Sequence, residues 1–313
     1  MRLLSKRTLL IISILVALFS MFKSLRPSAN TFNTAIRSIS FGTLLGGSTK
    51  MAEPTIRPYK PKNPDGPFPY STSDTTPMDP GNDASFYGPP RFVTHIDDNA
   101  IINLKKYYDN ELPRKGTILD FCSSWISHYP PEVFNAARKR EEHANKRDVQ
   151  AVEAQTKDGK DAGGLVVLGT GMNDAELKAN PLLWRYAVQD LNEDPEVRLP
   201  GVYESGETTK LDASTCVVSI DYLTKPVDVL SSIRRQTVEG GRVHLAISNR
   251  CFPTKVVGRW LKVREQERLE MVGDYLWWSG WRDVEIVEVV NGGFMTDPLW
   301  VVRATNVAQG SGS

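Results

Sequence analysis

The chain has 313 residues, of which 40% are apolar and 24% charged, with a net charge of +1 at neutral pH. That is the balance of an ordinary globular chain, and the length permits one large domain or two smaller ones. With no concentrated basic face, a dedicated nucleic-acid binder is not expected. Cys122, Cys216 and Cys251 are far apart and odd in number, which suggests neither a disulfide framework nor a zinc site. The four histidines, His95, His128, His143 and His244, form no HxxxH or HExxH pattern, so no metal enzyme is expected.

The first 52 residues carry seven Lys or Arg and no acid; Glu53 is the first. Within them residues 8–22, TLLIISILVALFSMF, form an almost uninterrupted apolar run flanked by Lys6, Arg7 and Lys23. As a helix this run is shorter than the ~20 residues that cross a bilayer. It suits a signal-peptide core, a short signal anchor or part of an organelle presequence. Residues 24–50 are basic, hydroxyl-bearing and acid-free, the composition of a mitochondrial transit segment. Residues 1–50 are therefore expected to send the chain to the mitochondrion, with membrane anchorage through residues 8–22. The alternatives are an endomembrane signal anchor, a basic tail with a fortuitous apolar run, and a shorter cytoplasmic form starting at Met51.

Residues 51–90 hold ten of the twenty prolines and read as an extended linker that wraps on the surface or stays mobile. From Arg91 to about residue 306 the pattern becomes alternating helices and strands, and residues 307–313 read as a tail. Ile96, Ile101, Leu104 and Tyr108 share one helical face, with Asp97 and Asp98 in its first turn where the helix dipole favours them. Gly116 leads into a strand over 118–121. Residues 132–157 read as a very charged helical stretch with a solvated face. A strand over 165–168 ends at Gly169-Thr170-Gly171 and is followed by a helix over 174–179. Further strands are expected at 186–189, 215–219 and 242–247. Pro226 opens a helix, where its missing N–H costs least, and that helix is expected to close at Gly240-Gly241. A long helix is expected over 255–278, burying Val256, Trp260, Val263, Leu269, Val272 and Leu276. Two last strands, 284–290 and 299–302, flank Asn291-Gly292-Gly293. Strands alternating with helices imply a mainly parallel sheet covered on both faces, with ligands beyond the carboxyl ends of its strands.

This order of turns resembles the class I S-adenosylmethionine-dependent methyltransferases, of the methyltransferase type 11 kind, over residues 91–306. The match is carried by TCVVSID at 215–221 followed by TVEGGRVHLAIS at 237–248, by Gly280-Trp281-Arg282-Asp283-Val284 before a late strand, and by Asp190-Leu191-Asn192 with Leu199-Pro200 after the third strand. The resemblance implies a three-layer α/β Rossmann-like fold, a mainly parallel seven-stranded sheet whose last strand is antiparallel. It implies S-adenosylmethionine as cofactor, held by Asp120, Phe121, Cys122, Ser123, Ser124, Gly171, Met172, Asn173, Asp190, Leu191 and Ser219. Asp190 is the acidic residue that meets the adenine amine. Two positions depart from the family's pattern. Its first loop reads D-x-G-x-G-x-G, and here Cys122, Ser124 and Ile126 stand at the glycine positions, where positive φ is costly. The acid that holds the ribose hydroxyls is replaced by Gly171, with Asn173 as the substitute and Asp174 a weaker one; an amide binds a diol less well than a carboxylate. A dinucleotide reading of Gly169-Thr170-Gly171 puts Asp174 at its third glycine, facing pyrophosphate with the wrong charge.

No motif fixes a nucleophile. The loops after the fourth and fifth strands offer Asp221, Tyr222 and Arg250 as catalytic or acceptor-binding candidates, with Asn249 and Lys255 beside them. His128 is a candidate proton acceptor, and Arg91 and His95 are hypothetical pocket residues. Arg250 and Lys255 read equally well as caps of the sheet end and the next helix, His128 as a turn-bonding residue, and Cys251 as small core filler. The function expected is methyl transfer to a small polar or anionic acceptor. The alternative is a methyltransferase-like binding or assembly protein without catalysis.

Overall fold

The computed structural model describes residues 54–138, 164–200, 210–293 and 296–308. The apolar run at 8–22, most of the charged stretch at 132–157 and the end of the tail lie outside them. Among the described residues no helix is long and apolar enough to cross a membrane.

Short apolar runs bounded by Gly, Pro and Asp become strands. β2 (Gly116–Phe121), β3 (Leu165–Gly171), β4 (Arg185–Val188), β5 (Leu211–Val217) and β6 (Thr237–Ser248) pair in parallel. β8 (Leu299–Thr305) enters antiparallel between β6 and β7 (Arg282–Val290). β1 (Thr55–Pro58) adds an eighth strand, antiparallel on β7, so the order is β1-β7-β8-β6-β5-β2-β3-β4. Successive side chains of β2 go to opposite faces, as the pleat requires: Ile118 joins one buried cluster, Leu119 and Phe121 the other. On the Ile118 side lies α3 (Asp98–Glu111), which buries Ala100, Leu104, Tyr107 and Tyr108 and is capped by Asp97, whose carboxylate accepts from Ala100 N at 2.7 Å. On the other side α6 (Pro226–Arg235) and α7 (Glu265–Trp278) bury Val229, Leu230, Ile233, Val272 and Leu276. The three-layer α/β fold expected from the sequence is present, with one strand more.

Three stretches differ from the sequence reading. The Pro-rich segment at 54–90 is a strap rather than a plain linker. It carries β1 and two short helices, α1 (Thr72–Thr75) and α2 (Asp83–Tyr87), and packs Tyr59, Phe68 and Tyr70 against the core. Its prolines sit at positions that need no N–H donor, as Pro58 does at the end of an edge strand. Secondly, α6 ends at Arg235; Gly240-Gly241 lie inside β6, where Gly240 takes φ +80° beside a register shift against β5. Thirdly, the helix expected from 255 begins only at Glu265, and Val263 is half-buried rather than core. The N–H groups of Val257, Gly258 and Arg259 donate to Asp221, Thr76 and Asp74 carbonyls, so they are not available for helical bonds.

Candidate functional site

Beyond the carboxyl ends of β2, β3, β4, β5 and β6 lies a cavity of about 550 Å³, within the range of small-molecule sites. β2 delivers Asp120 to its floor. The carboxylate is buried and accepts from Ser123 Oγ (2.6 Å), Ser127 Oγ (2.7 Å) and Thr215 Oγ1 (3.3 Å). Burial pushes its pKa up to about 6, and the three hydroxyl bonds work against that rise. Next to it Cys122 adopts φ +52°, so the first glycine position of the resemblance keeps the left-handed backbone without the glycine. Side chains hold this strained turn. Ser124 Oγ donates to Glu176 at 2.6 Å, Asn180 Nδ2 donates to the Ser124 carbonyl at 2.9 Å, and Trp125 Nε1 donates to the Val93 carbonyl at 2.9 Å.

Left-handed non-glycine residues gather here. Cys122, His95 (φ +62°), His128 (φ +55°) and Val218 (φ +42°) all line the cavity; among the described residues only Asp283 adopts such a φ elsewhere. For a β-branched residue like Val218 the conformation is a true outlier, and such strain concentrates where a site over-determines the backbone.

Gly171 and Asn173 both line the cavity, and neither offers it a free carboxylate. A Cβ on Gly171 would lie 2.2 Å from the Ser123 carbonyl oxygen, so the first loop itself fills the place of a side chain there. The Asn173 side chain is already bonded on both atoms. Its Nδ2 donates to the Tyr87 and Gly88 carbonyls at 2.8 and 2.7 Å, and its Oδ1 caps the short helix α5 (Asp174–Ala179) by accepting from Glu176 N. Asp190, after β4, turns its Oδ1 to Asn192 N at 2.9 Å, which fixes the carboxylate at the cavity wall beside Leu191.

Ser123, Ser124, Met172, Ser219, Tyr222 and Arg250 line the cavity as well. Phe121 and Asp221 do not. Phe121 is wholly in the core, because the β2 pleat turns it away from the strand end. Asp221 sits in a short 3-10 turn (Ile220–Tyr222) that rotates it inward; only 3% of it is exposed, and burial raises its pKa to about 7. Arg250 is paired with Asp297 at 2.6 Å, and Lys255 points to the strap, 3.1 Å from both Asp79 and Asp83. His128 is 4% exposed, with Nδ1 unpartnered. With Nδ1 unpartnered, a lone pair there faces no donor among the described residues. Burial, helped by Lys105, depresses the His128 pKa to about 4.

The strap supplies what sequence reasoning missed. Asp83 and Tyr87 line the cavity together with Arg91, and the Asp83 carboxylate accepts from Asn192 Nδ2 at 2.9 Å. The aromatic residues scattered among its prolines were the available signal. Val218 and Glu176 also line the cavity and were not expected there.

The three strand ends at Asp120, Gly171 and Asp190 share one cavity, under a parallel sheet completed by an antiparallel strand between β6 and β7. This is the Rossmann-like α/β arrangement expected from the sequence, with one strand more. Solved structures of that kind are similar to the chain at low identity. A TehB-like S-adenosylmethionine-dependent methyltransferase from Corynebacterium glutamicum is 15% identical over 65% of this chain and 86% of that one, with a TM-score of 0.36. An S-adenosylmethionine-dependent methyltransferase from Mesorhizobium loti is 14% identical over 64% and 96%, TM-score 0.36. Phosphoethanolamine N-methyltransferase 2 of Haemonchus contortus, in complex with S-adenosyl-L-methionine, is 12% identical over 66% and 52%, TM-score 0.38, so the chain spans about half its length. No protein-family model and no curated protein matches the chain. These likenesses are distant, and the reading of the site rests on its own residues.

Proposed function

We propose that this chain transfers the methyl group of S-adenosylmethionine to a small polar acceptor that carries an anionic group. The observation that carries the reading is Cys122, held at positive φ by a network of hydroxyl, carboxylate and amide bonds at the rim of the cavity. A chain with no use for backbone approach at that turn would gain stability from an ordinary conformation there.

The residues present fit most of the cofactor. Asp190 and Leu191 would take the adenine, and the turn at Asp120, Cys122, Ser123 and Ser124 would take the amino-acid end. The ribose finds no uncommitted carboxylate near Gly171, because Glu176 already accepts from Arg91 N and Ser124 Oγ. The affinity expected is therefore low. When bound, S-adenosylmethionine supplies an electrophilic methyl group on a positively charged sulfur. The chain's own contribution is to hold the acceptor in line, the larger part of such catalysis, and to receive its proton. His128, which lines the cavity with Nδ1 unpartnered, is the proposed receiver.

Calorimetry of the full chain with S-adenosylmethionine tests this. Binding is expected, weakened about tenfold by Asp190→Ala, a loss of about 1.4 kcal/mol; no heat at millimolar cofactor sinks the reading. Replacing His128 with Phe should leave cofactor affinity intact and lower turnover by about 100-fold or more. The absent ribose acid favours a second reading, a binding module without catalysis, which the same titration would leave standing if no cofactor binds. For the N-terminal region the proposal remains mitochondrial targeting. Imaging a tagged full-length chain beside one starting at Met51 checks it, and identical diffuse distributions would reject it.

A further inference from the structure

Two arginines line the cavity, and the structure distinguishes them. Arg250 is neutralised by Asp297 at 2.6 Å. Arg91 stands in no ion pair among the described residues. The strap and α5 fix it from two sides: its backbone N donates to Glu176 at 2.6 Å, and its Nη2 donates to the Phe86 carbonyl at 2.8 Å. The guanidinium carbon lies 4.5 Å from the Phe86 ring centre and 5.6 Å from that of Phe252, within cation–π reach of both.

None of the cavity's carboxylates pairs with this cation. Asp83 is bound by Lys255 and Asn192, Asp97 caps α3, Asp190 caps its own turn, and both oxygens of Glu176 are bonded. An arginine held against two rings with no carboxylate partner, at the wall of a small-molecule cavity, is suited to receive one.

We propose that Arg91 anchors the acceptor, and that the acceptor is a small acid. Its carboxylate or phosphate oxygens meet the Arg91 guanidinium, and its body packs against the rings of Phe252 and Tyr222, which lie 6.0 Å apart. This deepens the methyl-transfer reading and rests on it for the word acceptor, while the anion site itself stands on Arg91. Arg91, held by Phe86 of the strap, thus selects the substrate.

Three probes of one shape test the proposal by calorimetry on the full chain, with and without S-adenosylhomocysteine: benzoate, phenyl phosphate and uncharged benzamide. At least one anion is expected to bind about tenfold or more tighter than benzamide, and the better of the two identifies the oxyanion. Arg91→Met should abolish that preference while leaving benzamide unchanged; Arg91→Lys, which keeps the charge but loses the planar fork, should retain part of it. A purely structural Arg91 would lower the melting temperature without moving the ratio of anion to amide. Equal affinities for all three probes, or an undiminished preference in Arg91→Met, overturn the inference. If S-adenosylhomocysteine binds and no anion preference exists, the acceptor assignment fails and the methyl-transfer reading survives. If an Arg91-dependent preference exists without any cofactor binding, the anion site stands and the methyl-transfer reading fails.

Discussion

Cys122 and Gly171 shape the first loop with opposite requirements. Cys122 has a side chain where the backbone is left-handed, at a cost of roughly 1–2 kcal/mol; Gly171 has none where a Cβ would strike the Ser123 carbonyl. Cys122→Gly is therefore expected to leave the melting temperature unchanged or raise it, because relief of strain offsets the greater freedom of the unfolded chain. Gly171→Ala should lower stability by about 1–3 kcal/mol, since the obstructing atom is backbone and Ser123 N is itself bonded to the Thr170 carbonyl. A thermal melt in which the two shifts share a sign would contradict this account. Asp221 carries a separate signature. Its folded pKa, about 7, lies above the ordinary carboxylate value. The stability linked to it is complete at acid pH and is lost as pH rises through about 7. Asp221→Asn should thus gain on the wild type between pH 5 and pH 9, by on the order of 3 kcal/mol if nothing else relaxes; an equal difference at both pH values would refute the buried carboxylate. The sequence displayed the acidic ends of β2 and β4, because a strand followed by an acid is a local pattern. It could not display the rotation of Asp221 into the core or the use of Asn173 as a brace, since both depend on partners many residues away.

At the level of elements, sequence periodicity read best where local preference and packing agree. The helix at 174–179 has its capping Asn173 and its acids in the first turn, and it forms over the expected span. The strands show as apolar runs. Local preference fails at 255–264, whose pattern is helical but where Val257 N goes to Asp221 and the N–H groups of Gly258 and Arg259 to the strap, and again at 54–90, where proline density concealed an ordered segment. Three braces hold that segment. Tyr59 and Tyr70 hydroxyls each donate to Asp274 at 2.6 Å. Asn173 holds the Tyr87 and Gly88 carbonyls. Lys255, its side chain 2% exposed, donates to the Gly81 carbonyl at 2.8 Å and pairs with Asp79 and Asp83. Lys255→Met keeps the apolar stem and removes the charge, leaving Asp83 without its cation. Breaking a buried pair costs about 3–5 kcal/mol; with Asp79 half exposed, about 2–3 kcal/mol is the reasonable loss. Limited proteolysis should then cut within residues 60–90 faster than in the wild type. An unchanged digestion pattern would mean that the clamp does not hold the strap.

Across the whole folded unit the strap links two otherwise separate needs, protection of a sheet edge and completion of the cavity. β7 would be the edge of the sheet, and its nine residues would offer unpaired N–H and C=O groups to another chain. β1 pairs that edge from Thr55 to Pro58. Phe68 and Tyr70 then lie edge-on to one another, and both rings pack on Tyr275, with Phe68 also on Trp278. The same segment goes on to place Asp83, Tyr87 and Arg91 in the cavity wall. Removing it should therefore damage solubility and binding together, although none of it belongs to the layers that form the core of the fold. A chain starting at Met51 is expected to melt with the stability of residues 54–308 intact and to bind whatever the full chain binds. A chain starting at Arg91 loses the edge strand and the aromatic cover, and it leaves Asp274 half-buried without its two tyrosine donors. Several kcal/mol of such losses correspond to a drop of about 10 °C or more in a domain of this size, with aggregates on size-exclusion chromatography and no ligand heat. If the Arg91 start melted within a few degrees of the Met51 start and ran at the same elution volume, the strap would be an accessory to the fold. If it also bound the cofactor and the anionic probes unchanged, the strap would have no part in the site.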